Sequence, residues 1–574
     1  MDDRLLNPRP PLPATDREQI AQREIGHTRI APRLSRTLTA VFLATIAVVP
    51  AIQTAYDLGQ WRRGERASAL PQSVDALRLP ALGLRTILSE ESGPLARIFA
   101  ADRAVLHAIH SFEDTLEERS RVGAFIRPRV QRALTEQLGA GNEQVYCGRS
   151  GWLFFRPSVD HLIGPGFVDE QELARAADRG DELREPRQSD PLPAILQFRD
   201  QLASRGIELL LVPVPVKAAV YPELLSGRYA ADSEALSNPS FANFLAELAD
   251  RKVRVFDPTQ LIAEAKENDG ELQYLRTDTH WTPRAVDLVA DRLATTVRGF
   301  VDLEPADSVR YTSEEATISN TGDLTEMLEL PTLFPPQEVR IDVVRNDDGT
   351  LWRRRSAEIL LLGDSFTNIY SQEGLGWGAG AGLAERLSYH LQQPVDTLAR
   401  NDDGAFATRL LLSREVAREP DRLAGVQLVI WEFAARELSA GDWRLVVMEN
   451  APPPEADFIV PPRGTTIIVE GTVAALAEVP DPRKAPYADY IVGLHLVDVT
   501  SDEILDGDQA LVFAWAMRGR RLTAGAAYRV GQRLRLELRP WADVTQEFES
   551  VARGELYENN LLLQTPCWGE EISP

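Results

Sequence analysis

Apolar runs alternate with amphipathic segments through the middle of the chain. Segments 241–248, 283–297 and 381–391 repeat their apolar residues at helical spacing. Short, mainly apolar runs, which indicate strands, occupy 207–215, 253–256, 359–362, 395–398 and 426–431. Strands that are apolar on both faces and separated by helices are typical of a parallel sheet covered by helices. The pattern therefore predicts an α/β domain over residues 145–450.

The pattern changes at the C-terminal side of this domain. The stretch 451–464 reads APPPEADFIVPPRG, and its proline density predicts a linker. Beyond it, short runs of alternating apolar and polar residues replace the helical spacing, with turn residues between them. They predict a small all-β module over residues 465–574, built either as a five-stranded barrel or as a sandwich.

The N-terminal region is organised differently. Residues 1–37 are polar and aperiodic, which predicts a disordered cytoplasmic tail. Residues 38–56 contain no charge and are long enough to span a bilayer as a helix, so they predict a transmembrane anchor. A cleaved signal peptide is the alternative. Residues 57–144 carry further helical spacing and predict a helical stalk or layer.

Composition limits the possible partners. Lys and Arg total 62 against 86 Asp and Glu, which gives a net charge of −24. Such a chain repels nucleic acid at long range, and a polyanionic substrate would need a local basic patch. The two cysteines, Cys147 and Cys567, are too few for a disulfide scaffold. One bridge between them and two free thiols are both open.

A candidate nucleophile follows one of the predicted strands. Gly363-Asp364-Ser365 comes directly after the apolar run 359–362. Ligands of open α/β sheets bind outside the carboxyl ends of the strands, where a serine hydroxyl is exposed and main-chain N–H groups can hold an oxyanion. Gly-Asp-Ser alone is also a common turn, so the motif indicates a catalytic serine only together with a suitable base.

A candidate base and its carboxylate lie in another loop of the same domain. Asp278-Thr279-His280 precedes a predicted helix whose N-cap is Thr282. Residues two apart in an extended loop can point to the same side, so Asp278 can accept Nδ1–H while Nε2 takes the serine proton. The alternative is a turn-capping aspartate beside a surface histidine. The conjunction with Ser365 favours acyl chemistry, because a serine needs such a base.

Weaker candidates complete the site. Asn401 follows the run 395–398 and could donate to an oxyanion, as could the main-chain N–H of Gly322; both could equally be turn residues.

A metal site built from His280, Asp278 and Asp364 is a weak alternative, because no second histidine is suitably spaced. No phosphate-binding glycine loop is found, and no cofactor is predicted. The glycines of 374–383 are explained by a close helix–sheet contact.

Several of these motifs together resemble a known family. The chain resembles the exported alginate O-acetyltransferase-like proteins, which have an SGNH-hydrolase-like domain and acetylate exopolysaccharide. The matching motifs are YCGRSGWLFFRP, LLVPVPVKAAVYPE, YLRTDTHWTPRAV, TGDLTEML, LLLGDSFTNIY and VIWEFAARELSAG. The resemblance implies an SGNH-hydrolase-like parallel sheet, with Ser365 as nucleophile, His280 as base and Asp278 as its partner. It also implies a periplasmic location and a membrane-bound O-acyltransferase as the source of acetyl groups.

The expected function is therefore serine-dependent O-acetyl transfer to an extracellular or cell-envelope polysaccharide. The same three residues with water as acceptor would make a carbohydrate or lipid esterase. The third hypothesis is a non-catalytic polysaccharide-binding scaffold of an export complex. The expected partners are a polysaccharide acceptor and the inner membrane, with the catalytic domain in the periplasm and no contact with nucleic acid.

Overall fold

The structure of the chain is a computed structural model. The structure describes residues 32–63, 105–106, 109, 120–178, 188–303, 310–346, 357–401, 404–448, 458–480, 482, 485, 487–501, 507–548, 551–556, 561 and 564–572.

The strands fall into a central sheet, two small ribbons and a C-terminal barrel. In chain order they are β1 (Val145–Cys147), β2 (Leu153–Phe155), β3 (Glu208–Val214), β4 (Arg254–Val255), β5 (Thr312–Asn320), β6 (Gln337–Arg345), β7 (Ile359–Gly363), β8 (Val395–Ala399), β9 (Leu428–Ala434), β10 (Ile467–Leu476), β11 (Tyr490–Thr500), β12 (Ala510–Arg518), β13 (Arg521–Leu522), β14 (Arg533–Pro540), β15 (Ala552–Gly554) and β16 (Cys567–Glu571).

Helices connect and cover these strands. They are α1 (Pro32–Arg62), α2 (Arg121–Leu138), α3 (Arg156–Ile163), α4 (Glu170–Asp178), α5 (Pro191–Ala203), α6 (Lys217–Val220), α7 (Pro222–Leu225), α8 (Phe241–Asp250), α9 (Thr259–Asp269), α10 (Pro283–Arg298), α11 (Asp323–Met327), α12 (Ser365–Asn368), α13 (Leu383–Leu391), α14 (Gly404–Arg418), α15 (Glu437–Ala440) and α16 (Thr545–Phe548).

The central sheet is fully parallel, in the order β4-β3-β9-β7-β8. Successive strand residues point to opposite faces, so β7 buries Leu361 against the α10 and α13 side and Leu362 against the α5, α8 and α14 side. Both faces are therefore covered, which explains why β7 is a continuous apolar run. The predicted α/β fold with a parallel sheet is confirmed.

The parallel arrangement determines where a site can form. All five strands end at the same edge, so the loops after β3, β9, β7 and β8 meet there. An antiparallel ribbon of β5 and β6, paired from Thr312↔Arg345 to Asn320↔Gln337, is inserted before β7. A second ribbon pairs β1 with β2.

The C-terminal module is an all-β barrel. Strand β12 pairs with β16, β16 with β14, β14 with β10, β10 with β11, and β11 again with β12, which closes the ring. Alternate residues such as Leu534, Leu536 and Leu538 of β14 fill its interior. Of the two architectures that the alternating runs allow, the barrel is the one formed.

The N-terminal helix is longer than the apolar run that predicts it. Helix α1 begins at Pro32 and ends at Arg62, and its apolar window has a mean hydropathy of 1.9. Its length and composition suit a membrane span, although a signal sequence would have the same properties. The predicted tail lies outside the described residues up to residue 31, as does most of the predicted stalk.

The predicted linker is described only in part. Residues 451–457 lie outside the described residues, and Phe458 forms an isolated β-bridge with Gln509 of the barrel module.

The two cysteines do not form a disulfide. Cys147 and Cys567 are both free thiols. Burial raises the pKa of the Cys567 thiol to about 12, which keeps it protonated and unreactive.

Candidate active site

A sharp turn carries Ser365 out of the sheet. Strand β7 ends at Gly363, and the carboxylate of Asp364 caps α12 by accepting the Phe366 N–H at 2.8 Å. The other Asp364 oxygen accepts the Ala434 N–H at 2.9 Å, which ties the turn to β9. Ser365, unlike its neighbours on either side, is only half-buried, so its hydroxyl faces the open edge of the sheet.

A buried glutamate supports this turn from below. Glu432 Oε2 accepts the Asp364 N–H at 3.0 Å and the Thr367 hydroxyl at 2.7 Å. Burial and the nearby Asp364 charge raise the pKa of Glu432 well above its usual range, so it stays neutral. Because Glu432 is protonated, it does not repel the carboxylate of Asp364, the residue before Ser365.

The structure brings the three residues of the expected triad together. Nε2 of His280 lies 2.8 Å from Oγ of Ser365, and Nδ1 of His280 lies 2.7 Å from Oδ1 of Asp278. His280 and Asp278 are 5 % and 2 % exposed. The chain of contacts is continuous from carboxylate to hydroxyl, which is the geometry a general base needs.

Asp278 is held by four donors. Its Oδ1 accepts the main-chain N–H of His280 at 3.0 Å as well as the ring nitrogen. Its Oδ2 accepts the Asp323 N–H at 3.0 Å and the indole Nε1–H of Trp377 at 2.9 Å. Because each contact favours the ionised form, Asp278 is fixed both in position and in charge.

Trp377 reaches Asp278 from the glycine-rich segment. Gly376, Gly378 and Gly380 have φ values of +81°, +85° and +78°, in the left-handed region that favours glycine. A side chain at Gly378 would meet Ile341 of β6 at 2.9 Å. The glycines thus allow the segment to pack against the β5–β6 ribbon. The sequence analysis had explained them by a contact between a helix and the sheet.

The loop that carries Asp278 and His280 is braced from inside the protein. Lys217 Nζ donates to the carbonyl oxygens of Leu275, Arg276 and Asp278 at 3.0, 3.2 and 2.6 Å. Lys217 is only 3 % exposed. Burial lowers its pKa to about 7, against the opposing effect of the charges of Asp278 and Asp323. Three carbonyl oxygens accept hydrogen bonds from this amine, so a movement of the loop would leave buried N–H donors without acceptors.

Charges set the protonation of the His280 ring. Burial alone would lower the pKa of His280, but the hydrogen bond and charge of Asp278, with the charge of Asp323, raise it above 6.5. Burial would raise the pKa of Asp278, but the hydrogen bond and charge of His280, with the Trp377 and Asp323 donors, lower it to about 2. Asp278 is therefore ionised at neutral pH and stabilises an imidazolium.

The acidic groups could in principle hold a cation. Asp278, His280 and Asp323 place ligand atoms within 4.8 Å of one another. Each lone pair of Asp278 already accepts a donor, and Nδ1 of His280 is hydrogen-bonded to it. Asp364, the third ligand considered from the sequence, faces the Phe366 and Ala434 N–H groups instead. The arrangement suits a hydrogen-bonded relay better than a metal site.

The two weaker candidates have different surroundings. Asn401 lies at the end of β8, where its Oδ1 accepts from Asn368 at 3.1 Å and its Nδ2 donates to Gln372 at 3.2 Å. The Gly322 N–H donates to Asn320 Oδ1 at 3.4 Å. A Cβ on Gly322 would lie 2.4 Å from the Thr277 carbonyl oxygen, so this glycine permits two loops to touch. Both assignments remain predictions.

Comparisons with known proteins agree with this architecture. Residues 145–435, just over half of the chain, match the family described as "SGNH hydrolase-like domain, acetyltransferase AlgX". The chain belongs to this family.

Two relatives of the chain are named as probable alginate O-acetylases. The chain is 27% identical over 318 residues to the probable alginate O-acetylase AlgJ of Azotobacter vinelandii, covering 52% of this chain and 71% of the relative. It is 26% identical over 358 residues to AlgJ of Pseudomonas aeruginosa, covering 59% and 82%.

Two solved structures are also similar. The O-acetyltransferase domain of Pseudomonas putida AlgJ has a TM-score of 0.39 at 25% identity, covering 52% of this chain and 93% of that one. Pseudomonas aeruginosa AlgX has a TM-score of 0.37 at 16% identity, covering 69% and 91%.

Sequence reasoning missed the residues that support this AlgX-family site. Lys217, Asp323, Trp377 and Glu432 each touch the loops of Ser365 or Asp278, but none has a distinctive spacing along the chain. Lys217 was the one with a usable signal, since a lysine directly after an apolar strand run is unusual in a core.

Proposed function

We propose that this protein is a serine-dependent O-acetyltransferase that acetylates a polysaccharide through a ping-pong mechanism. The observation that carries the proposal is the pair of contacts from Ser365 Oγ to His280 Nε2 (2.8 Å) and from His280 Nδ1 to Asp278 (2.7 Å) at the open edge of the sheet. Membership of a family described as acetyltransferases supports the choice of acyl group.

The proposed reaction has two steps. His280 takes the Ser365 proton while Oγ attacks the acetyl carbonyl, and the leaving group of the donor departs with that proton. A sugar hydroxyl then attacks the acetyl-serine and gives its proton to His280, which returns a proton to Ser365 Oγ as the bond between Oγ and the acetyl group breaks. The sugar leaves as the acetyl ester. The Ser365 N–H at the start of α12 and the second N–H of the Asn401 amide are the proposed oxyanion donors.

The proposed setting follows from the N-terminal helix and the relatives. We place α1 in the inner membrane and the catalytic domain in the periplasm, because α1 is long and apolar enough to span a bilayer. Relatives named alginate O-acetylases support a polysaccharide acceptor. A membrane-bound O-acyltransferase is the proposed source of acetyl groups.

Transfer and hydrolysis can be separated with one experiment. The full chain in detergent is incubated with a chromogenic acetyl ester, with and without an oligosaccharide. We expect acetylated oligosaccharide by mass spectrometry and a matching fall in free acetate. Acetate release unaffected by any saccharide would indicate an esterase. No release above the Ser365→Ala background would indicate a non-catalytic scaffold.

Activity should fall as the pH is lowered through a value above 6.5. The neutral ring of His280 is the active form, and the carboxylates beside it raise its pKa, so the imidazolium persists to higher pH. Asp323 Oδ2 lies 4.0 Å from Nδ1 of His280, and Asp323 itself titrates at about 6, because burial and the charge of Asp278 raise its pKa. Asp323→Asn removes one negative charge, so the acid limb should move to lower pH.

The measurement is kcat/KM for the acetyl ester as a function of pH, for the wild type and Asp323→Asn. The cluster titrates as a unit, so the apparent pKa values belong to the group. A wild-type limb at or below 6.5 would contradict the raised pKa of His280, and an upward shift in the variant would contradict the assignment of His280 as the base.

A further inference from the structure

Helix α2 carries an apolar stripe on its surface. None of the residues of this helix is buried. Four large apolar residues follow one another at intervals of four, which places them along one side of the helix: Ile126, Val130, Leu134 and Leu138. Each is between 37 % and 74 % exposed. Contiguous apolar surface of this kind marks a site of contact with another apolar surface, so the α2 stripe needs an occupant.

Basic side chains border the α2 stripe. The helix has four arginines and one acidic residue, namely Arg121, Arg127, Arg129, Arg132 and Glu136. Its net charge of +3 contrasts with the −24 of the whole chain. Successive residues of a helix turn by about 100°, so Arg127 lies to one side of Ile126, and Arg129 lies to the opposite side of Val130. An apolar face between arginines is typical of a helix that lies in the headgroup region of an anionic bilayer.

The first turn of α2 contacts the helix that suits a membrane span. The Arg121 main-chain N–H donates to Gln53 Oε1 at 3.1 Å. The Arg121 guanidinium lies 4.2 Å from the ring centre of Tyr56 and donates to the Tyr56 hydroxyl. Tyr56 is the last residue of the charge-free run 38–56, and Trp61 follows it in α1. Tyrosine and tryptophan at the end of an apolar span are typical of the bilayer interface, so α2 begins at the level of the headgroups when α1 is in the membrane.

We propose that α2 lies in the surface of the bilayer that α1 spans, with the α2 stripe among the acyl chains and its arginines at anionic headgroups. The inference goes beyond the acetyl-transfer reaction, and it rests on the proposed function only through the anchoring of α1. Lipid fits this surface better than a second copy of the chain does. Two α2 helices packed through their stripes would bring arginines of the same charge together, whereas anionic headgroups attract them.

Quenching by lipids that carry a nitroxide near the headgroup tests the proposal. The full chain with Cys147→Ser is placed in vesicles of phosphatidylcholine and phosphatidylglycerol, and a nitrobenzoxadiazole fluorophore is attached at Leu134→Cys or at Glu136→Cys. The Cys567 thiol is buried, and protein without an introduced cysteine measures any labelling of it. The nitroxide lipids should quench the fluorophore at position 134 strongly and the fluorophore at position 136 weakly.

Glu136→Cys is the matched control for position. Residues two apart point about 200° apart around a helix, so the two fluorophores face opposite directions. Replacing Glu136 removes a negative charge, so weak quenching there cannot result from a lost attraction to anionic lipid. Val130→Cys supplies a second position on the α2 stripe and should behave like Leu134→Cys.

The contribution of the arginines is tested separately. Arg127→Gln together with Arg129→Gln should lower the equilibrium constant between lipid-bound and free α2 about thirtyfold, because each arginine is attracted to an anionic surface. Quenching at position 134 should then fall towards that at position 136, and vesicles of phosphatidylcholine alone should have a similar effect. Arg340→Gln with Arg345→Gln removes two arginines of β6 and should leave the quenching as it was.

The outcomes that contradict the proposal are distinct. Equal quenching at positions 134 and 136 would overturn it. Shielding of position 134 from iodide without quenching by lipid would also overturn it, since protein would then cover the stripe. Carbonate extraction of the vesicles identifies a failure of the anchor. A chain released by carbonate would contradict the proposed setting of α1 and the inference with it, whereas a retained chain with unquenched fluorophores would overturn the inference alone.

Discussion

Replacing Ser365 with alanine is expected to lower kcat for acetyl transfer on the order of a million-fold. The hydroxyl is the proposed attacking atom, and it lies 2.8 Å from the only ring nitrogen of His280 that Asp278 does not occupy. His280→Ala should be nearly as severe, because the serine is then left without a base. The double variant should be no worse than either single one, since the residues act as a unit.

The measurement is single-turnover acetate release, together with the intact mass of the protein after mixing with donor. Wild type should gain the mass of one acetyl group, and Ser365→Ala should not. Ser413→Ala is the matched control, because Ser413 on α14 donates to Val447 on the other face of the sheet. Acetyl incorporation that persists in Ser365→Ala would remove Ser365 as the nucleophile.

Asp278→Asn should lower kcat by about ten-thousandfold while leaving the fold intact. The carboxylate accepts from four donors, and an asparagine side chain has only one acceptor oxygen. If that oxygen faces His280, the new NH₂ group opposes the Trp377 and Asp323 N–H donors. If it turns the other way, the NH₂ group opposes Nδ1–H and favours the wrong tautomer of His280. Both arrangements lose the negative charge that stabilises the imidazolium, and the second also removes the free base nitrogen of His280.

Asp323→Asn is the matched control for this loss. Asp323 contributes its main-chain N–H to Asp278, which the substitution keeps, so kcat above the acid limb should fall far less than in Asp278→Asn. Thermal unfolding of both variants checks that the loop is still formed. Equal losses of kcat in the two variants would mean that the loss does not come from the hydrogen bond between Asp278 and His280.

Local sequence patterns were sufficient to predict the strands and helices of the central domain and its α/β class. Continuous apolar runs such as 359–362 predicted strands buried on both faces, and Thr282 predicted the start of α10, where its side chain accepts the Ala285 N–H. These predictions hold because strand burial and helix capping depend on residues within a few positions. The two motifs that carry Ser365, His280 and Asp278 are also short enough to recognise without the fold.

The limits of the N-terminal helix show where local reasoning stops. Absence of charge predicted a span of residues 38–56, but α1 runs from Pro32 to Arg62. Charged residues at both ends of an apolar helix continue its hydrogen bonding while their side chains reach water, so charge marks the apolar core of the helix and not its ends.

Local patterns in the chain were enough to predict the alternation of strands and helices, the all-β character of the C-terminal module, and the residue types that acyl chemistry needs. Only the tertiary structure decided which distant groups meet. Trp377 reaches Asp278 across 99 positions and Lys217 reaches it across 61. Such contacts depend on the parallel order of the strands and on chain packing over the whole domain, and no local pattern encodes them.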